Sequence, residues 1–447
     1  MRIIRSARGP AMGRRRWSHR ALAGVLAASL VAAGCGDDDE GDAGETTVKA
    51  PSSSAAGGAS TTSDGGSATS APQSTGGTQT TSAPKPATGE PIKLFTIHDT
   101  GSQSDDFMTG INAAIESINE HGGVNGRPLE IEKCDTGRDP ARAEQCARSA
   151  VDNDDVVATV GDTNGFGTQI MPVLEQAGMP AVGHEAYTQA DAKSPVAFNS
   201  TPGFFISLAG PVLLVRNVEA TKIGVPFIDN PAGNAIPALV EKAITPIGGS
   251  VSAKAGIPLT ATDVSTQVAA IQESDPDGVA PILSAALTES VLQSAVQLGF
   301  TDVPFALAPH TKSPLATAES YPELDTVFPT YFNHASEGWQ AFEADMEEYS
   351  PDGALTDGPA AGWFAVQLFK WAADQATTID RAGILDVLSK ADAVDIGGMT
   401  EPLDFTTDSP ALDGGFPRIV NTNYYPYRVE DGEFVSLNGD KAEKIFG

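Results

Sequence analysis

One pattern repeats along the chain from Glu90 onward: a short apolar run, a turn, then apolar residues at helical spacing. "IKLFTIHD" reads as a buried strand, after which Phe107, Met108, Ile111, Ala114, Ile115 and Ile118 recur on one helix face. The glycines of "HGGVNGRP" end that helix and turn the chain. "LEIEK", "VVATVGD" and "MPAVG" are the next strands, separated by the helices "PARAEQCARSAVD" and "FGTQIMPVLEQAG". A second series starts near Thr221 with the strand "KIGVPFID", the helix "NAIPALVEKAI" interrupted by Pro237, and the strand "VSAKAGIPL". It continues through the helix "DVSTQVAAIQES", the run "GVAPILS", the helix "TESVLQSAVQLGF" and the strand "PFALAPH". Strands that alternate with helices build parallel sheets covered by helices, so the two series predict an α/β chain with two doubly wound lobes. Near the end, "YYPYRVEDGEFVSL" reads as a hairpin turning at Asp431-Gly432.

Open sheets of this kind bind ligands beyond the C-terminal ends of their strands. In the first lobe those ends carry His98, Asp99 and Thr100, then Asp162, Thr163 and Asn164, then His184 and Glu185 with Tyr187 and Thr188 nearby. In the second they carry Asp229 and Asn230, Ser284 and Ala285, and Pro309 and His310. No G-x-G-x-x-G follows the first strand, and neither G-x-x-x-x-G-K-[ST] nor G-x-S-x-G occurs, so the sequence shows no nucleotide-binding or hydrolase signature. A hydrolase would have to use His98, Asp162 or Glu185, and no nucleophile–base spacing supports one; the chain is read as a binding protein, not an enzyme. Three histidines at strand ends also raise a metal site. His98 and His184, two strands apart, would start about 10 Å apart, which makes convergence on one ion demanding. Hydrogen bonding to an organic ligand is the preferred reading, and neither a metal nor a cofactor is expected. Trp339 and Phe342, one helical turn apart, read as core.

The N-terminus sets the expected compartment. The first 34 residues hold seven arginines and no acid, and an apolar run "ALAGVLAASLVAA" precedes "GCGDDDE". A basic start, a short apolar stretch and small residues before a cut describe an export signal, and the run is short for a bilayer span. "VAAGC" resembles the lipobox of bacterial lipoproteins, which implies a lipid on Cys35, although Ala32 stands where Leu is commonest. Residues 36–89, built from Ser, Thr, Gly, Ala and Pro, read as a disordered tether. The formal net charge is −30, and loss of the arginine-rich leader makes it more negative. That excludes a nucleic-acid partner, which demands a basic footprint, and docking on anionic lipid by charge. Outside the cytoplasm thiols oxidise. Cys134 ends the strand "LEIEK" and Cys146 lies in the next helix, so the two can meet in a structural disulfide. No further ligands are spaced for zinc, and a redox pair is more often C-x-x-C.

"GINAAIESINEHGGVNGRPLEIEKCDTGRDPARAEQCARSAVDNDDVVATVGD" resembles the first lobe of the type I solute-binding proteins of bacterial ABC importers, in the leucine/isoleucine/valine-binding branch. "IN..GGVNGR" is its most specific part; "MPVLEQAGMPAVG" and the late "WFAVQLF" fit the same pattern. The resemblance implies a periplasmic binding protein type I fold: two doubly wound parallel-sheet lobes joined by a three-crossover hinge. The crossovers would fall near Thr201-Pro202, Phe332-Ala335 and Pro417-Asn421. The implied division is a signal peptide at 1–34, the lipidated Cys35 and tether at 35–89, an N-terminal lobe of 90–202 plus 334–408, and a C-terminal lobe of 203–333 plus 409–447. It implies a monomeric receptor that captures a small polar solute (an amino acid or related compound, an amide or a short acid). The receptor would pass it to a permease of the inner or cytoplasmic membrane, touching that membrane only through its lipid. A sensor of the same fold, signalling through a partner protein, is the alternative.

The resemblance also assigns roles. Hydroxyls and backbone N–H groups near Thr163, Asn164 and Glu185 to Thr188 would hold a ligand carboxylate. The family's ammonium-binding acid is replaced by His310 in "APH"; Glu185 or Asp229 could take its place, although the motif implies neither. The loop "DTGSQSDDF" is shorter than in branched-chain amino-acid binders and lacks their aromatic residue, and Trp363 lies near a late cleft aromatic position. Simple branched-chain amino acids are therefore expected to bind weakly unless Glu185 or Asp229 takes over, and His98, Thr100, Asp162 and Ser284 complete the expected ligand set.

Overall fold

The computed structural model describes residues 85–99, 104–230, 233–308 and 313–446. The leader, Cys35, the tether up to residue 84, Thr100 and His310 lie outside the described residues. Two sheets organise the chain. In the first, β1 (Ile92–His98), β2 (Leu129–Asp135), β3 (Val156–Val160), β4 (Ala181–His184) and β5 (Ala197–Asn199) lie in the order β2-β1-β3-β4-β5, all parallel. All five residues of β3 and all four of β4 are buried, as in a sheet covered by helices on both faces. The connecting helices are α1 (Ser104–Glu120), α2 (Pro140–Asp152) and α3 (Gly167–Ala177).

The chain then passes through α4 (Ile206–Asn217), a helix buried along most of its length, into the second sheet. There β6 (Lys222–Ile228), β7 (Ser250–Ile257), β8 (Gly278–Val279), β9 (Phe305–Ala306) and β10 (Thr326–Thr330) are parallel. Between them run α5 (Ile236–Ile244), α6 (Ser265–Glu273), α7 (Ala285–Leu298) and α8 (Pro314–Ser320). After β10 the chain returns to the first sheet as α9 (Glu337–Tyr349), α10 (Asp357–Gln375) and α11 (Arg381–Ser389), which pack on α1, β4 and β3. It crosses once more to add β11 (Asn423–Glu430), β12 (Glu433–Ser436) and β13 (Glu443–Lys444) to the second sheet as antiparallel strands. The two sheets are thus linked by three passes, between Asn199 and Ile206, Thr330 and Glu337, and Ser389 and Asn423. Among the described residues no helix is long and apolar enough to cross a membrane.

Several expected details come out differently. Pro237 does not interrupt its helix: it sits in the first turn of α5, where its missing N–H costs nothing, after a 3₁₀ turn at Gly233–Ala235. "PFALAPH" forms only the two-residue β9, and "GVAPILS" only β8 plus an isolated bridge from Ile282 to Phe227. The late hairpin turns as expected, with Asp431 at φ 52° and Gly432 at φ 83° carrying the positive φ values a tight turn requires.

Cys134 on β2 and Cys146 on α2 form a disulfide, with Cα atoms 5.6 Å apart. The closed loop is short, and the chain-entropy model gives such a bridge about 3 kcal/mol. Helices α1 and α10 approach more closely than side chains allow. A Cβ at Gly110 would stand 1.8 Å from the Pro359 carbonyl oxygen, and one at Gly362 would stand 2.1 Å from that of Phe107. Both obstacles are backbone, so neither can rotate away. In an open helix Gly→Ala stabilises by about 1 kcal/mol; here Gly110→Ala is expected to reverse that sign and destabilise by about 1–3 kcal/mol in denaturant unfolding. Gly165→Ala, with nothing within 4 Å, is the neutral comparison. In oxidised protein, Cys134→Ser should lower the unfolding free energy by about 3 kcal/mol.

Candidate functional site

The C-terminal edge of the first sheet brings several expected residues side by side. Parallel bridges join His98 to Thr163 and Thr163 to Glu185, so the ends of β1, β3 and β4 form one continuous rim. Glu185 is its centre. The residue is 2% exposed, and its carboxylate accepts hydrogen bonds from Thr163 Oγ1 (3.1 Å), Tyr187 OH (2.8 Å) and Tyr331 OH (2.7 Å). Burial pushes the Glu185 pKa above the usual carboxylate range, while the three hydroxyls pull it back down. Burial, together with the adjacent carboxylate, holds both tyrosine hydroxyls well above their ordinary pKa, so both remain donors.

Below this rim lies a buried charged cluster. His184 Nε2 stands 3.0 Å from Asp191 Oδ1, and its Nδ1 stands 3.9 Å from Asp162 Oδ2. Burial alone would lower the His184 pKa, but Asp191 and Asp162 outweigh it and hold the imidazole above its ordinary value. Asp191 accepts the backbone N–H groups of Tyr187 (3.1 Å) and Thr188 (2.7 Å), which fixes the loop after β4. Asp162 accepts the Ile97 N–H (2.8 Å), and burial raises its pKa. Asn164 bonds the Ile97 carbonyl oxygen (3.2 Å) and the Phe166 N–H (2.9 Å). Asp162 and Asn164 therefore brace the lobe from within. His98 is fully buried, with its Nε2 2.7 Å from Thr96 Oγ1.

Two adjoining cavities open beyond the rim. The larger, about 550 Å³, is walled by Tyr187 and Thr188 of the first lobe, Ile228 and Ile236 of the second, and Phe204 and Phe416 of the connecting segments. The smaller, about 240 Å³, shares Tyr187, Phe204, Ile228 and Ile236 and adds Ile282 and Ser284. Of the residues expected to meet a ligand, Tyr187, Thr188 and Ser284 thus line the space, and Thr163 and Glu185 stand behind Tyr187. Five do not join them: His98, Asp162 and Asn164 are turned into the first lobe, and Asp229 and Trp363 lie elsewhere. Asp229 is exposed and packs against Gly256 of β7, whereas its neighbours Ile228 and Asn230 face the cavity. Trp363 is buried between α10 and α9, its indole N–H donating to Asp345 (2.7 Å). Trp339 and Phe342 are buried core, as expected.

Tyr331 was not among the expected residues. It follows β10 on the pass back to the first sheet, and its backbone N–H donates to Asp357 Oδ2 (3.1 Å) at the start of α10. The only signal for it is an aromatic hydroxyl just past a strand end in "PTYFNHAS". Among the described residues no group of three His, Cys, Asp or Glu side chains is placed to hold a metal ion.

Two α/β lobes, three passes between them and cavities walled by both lobes define a two-lobed solute-binding protein. The sequence matches the family model described as periplasmic binding protein over residues 98–433, and the chain belongs to that family. It is a family of extracytoplasmic solute-binding proteins rather than enzymes. The fold is similar to that of a leucine-binding protein from Thermotoga maritima, with TM-score 0.62 and 18% identity over 79% of this chain and 99% of that one. A fatty acid ABC transporter substrate-binding protein from Thermomonospora curvata gives 0.64 and 19%, over 81% and 94%. An R. palustris ABC transporter solute-binding protein in complex with 4-hydroxybenzoate gives 0.63 and 19%, over 79% and 96%. No curated protein matches the sequence.

Two outcomes follow from the buried groups. Tyr331→Phe takes one donor from a buried carboxylate and should destabilise the protein by about 1.5–3 kcal/mol in denaturant unfolding. His184 has a folded pKa above its unfolded value of about 6.5, so its contribution is fully present below that value and lost as pH rises through the folded one. The stability gap between wild type and His184→Asn should therefore be widest at mildly acidic pH and narrow into the alkaline range. A gap that stays constant from about pH 5 to about pH 9 contradicts this.

Proposed function

We propose that this chain is the solute-capturing component of an ABC importer, displayed outside the cell membrane by a lipid on Cys35 and the tether that follows. The observation that carries the reading is the pair of cavities whose walls come from both lobes and from the connecting segments. A ligand held there touches every part that would move when the lobes close. The lobes are taken as 90–202 plus 334–408 and 203–333 plus 409–447, with hinges in the three passes. Tyr187, Thr188 and Ser284 are assigned to direct contact, and Glu185 and Tyr331 to holding Tyr187. Thr100 and His310 belong to the same strand-end loops by sequence. Similar folds named for leucine, a fatty acid and 4-hydroxybenzoate support an amino acid or a small organic acid as cargo, and a membrane permease as the partner.

A thermal-shift screen of amino acids, amides and small acids tests the binding role. A cargo at 100 times its dissociation constant should add about 2.7 kcal/mol of stability. Deletion of the gene should abolish cellular uptake of that cargo, and uptake unchanged by deletion rejects the transport role. Cys35→Ala should move the protein from the membrane fraction to the soluble one or leave it uncleaved. A mature wild-type protein of lipid-free mass rejects the anchor.

A further inference from the structure

We infer that the ligand enclosed between the lobes has an apolar body, an aliphatic chain or ring, and carries no charge where it meets the cavity walls. The inference rests on the solute-binding reading and narrows it. Among the described residues, no charged side chain lines either cavity. The walls are mainly Phe204, Ile228, Ile236, Ile282 and Phe416, and these apolar faces are turned toward open space. Water against such walls is unfavourable, and an apolar ligand relieves it. The polar groups present are neutral. The Asn230 side-chain oxygen is already taken by the Gly233 N–H, at 2.6 Å.

Among the described residues, none of the side chains lining the cavities is the acid that a free amino acid would need. An ammonium group must meet a carboxylate when it leaves water. Glu185 stands at the centre of the rim, but Thr163, Tyr187 and Tyr331 already donate to it, and it is shut off from solvent. Reaching it would cost the Tyr187 and Tyr331 bonds. Asp99, whose charge acts on Tyr187, accepts a hydrogen bond from Thr136 Oγ1 and lines neither cavity. Asp229 faces β7 rather than the cavity. The larger cavity, about 550 Å³, is in the range of pockets that enclose most of a drug-sized ligand, and its lining is mostly apolar.

The test is a calorimetric series on the purified full chain. The probes are straight-chain monocarboxylates of increasing length, the alcohols of the same lengths, benzoate and leucine. Affinity for the straight-chain probes should rise by about fourfold per added methylene, the transfer of one CH2 from water, until the cavity is filled. Benzoate separates a ring from a chain, the alcohols separate the body from its head group, and leucine should bind more weakly than the carboxylate of matching length. Phe204→Ala should weaken the longest bound probe by at least roughly tenfold. Affinity that is flat with chain length, or no binding by any apolar-bodied probe, overturns the inference. Tight leucine binding would overturn it while leaving the solute-binding reading in place. Uptake that does not depend on the gene would reject the importer role without touching the chain-length result.

Discussion

A carboxylate taken out of water must be met by donors or protonated, and Glu185 is met by three hydroxyls from three parts of the chain. Thr163 comes from the end of β3, Tyr187 from the loop after β4, and Tyr331 from the pass that follows β10. The cost of burying one charge is thereby turned into geometry. Tyr187 is held with its hydroxyl inward and its ring at the cavity wall, and Tyr331 is tied to the rim of the first lobe. The loop that carries Tyr187 is fixed a second time by Asp191, which His184 balances from below. Breaking any one of these contacts leaves a buried polar group without its partner, so the arrangement holds together as a unit.

This arrangement separates two jobs that a sequence reading gives to the same residues. Asp162, Asn164 and His184 lie at strand ends, where ligand groups are expected, yet they spend their polar atoms inside the first lobe. The cavities are lined by the next layer outward: Tyr187, Thr188 and Ser284, set among phenylalanine and isoleucine side chains. Charge is spent on shaping the wall, and among the described residues the wall itself is neutral.

Much of the fold is legible because period and punctuation agree. Phe107, Ile111, Ala114, Ile115 and Ile118 mark α1, glycines mark its end, and Asp431-Gly432 marks the late turn. Elements without contrast are harder to read. Helix α4 is buried on nearly all sides and has no polar face to set a period, and β8 and β9 are only two residues long. Site residues near a strand end in sequence, such as Glu185 and Tyr187, are found by the rule for open sheets. Tyr331 escapes because its place depends on a contact across 146 positions, and Asp229 misleads because alternate residues of a strand end face opposite ways.

The central claim is that one ligand is gripped by both lobes at the wall built on Glu185. Hydrogen–deuterium exchange on the full chain, with and without the solute giving the largest thermal shift, tests it most directly. The account predicts slowed exchange at the same time in residues 186–190 of the first lobe, 204–207 of the connecting segment, and 233–239 and 282–287 of the second lobe. Protection confined to one lobe, or centred on the β11–β12 hairpin away from the cavities, would contradict it.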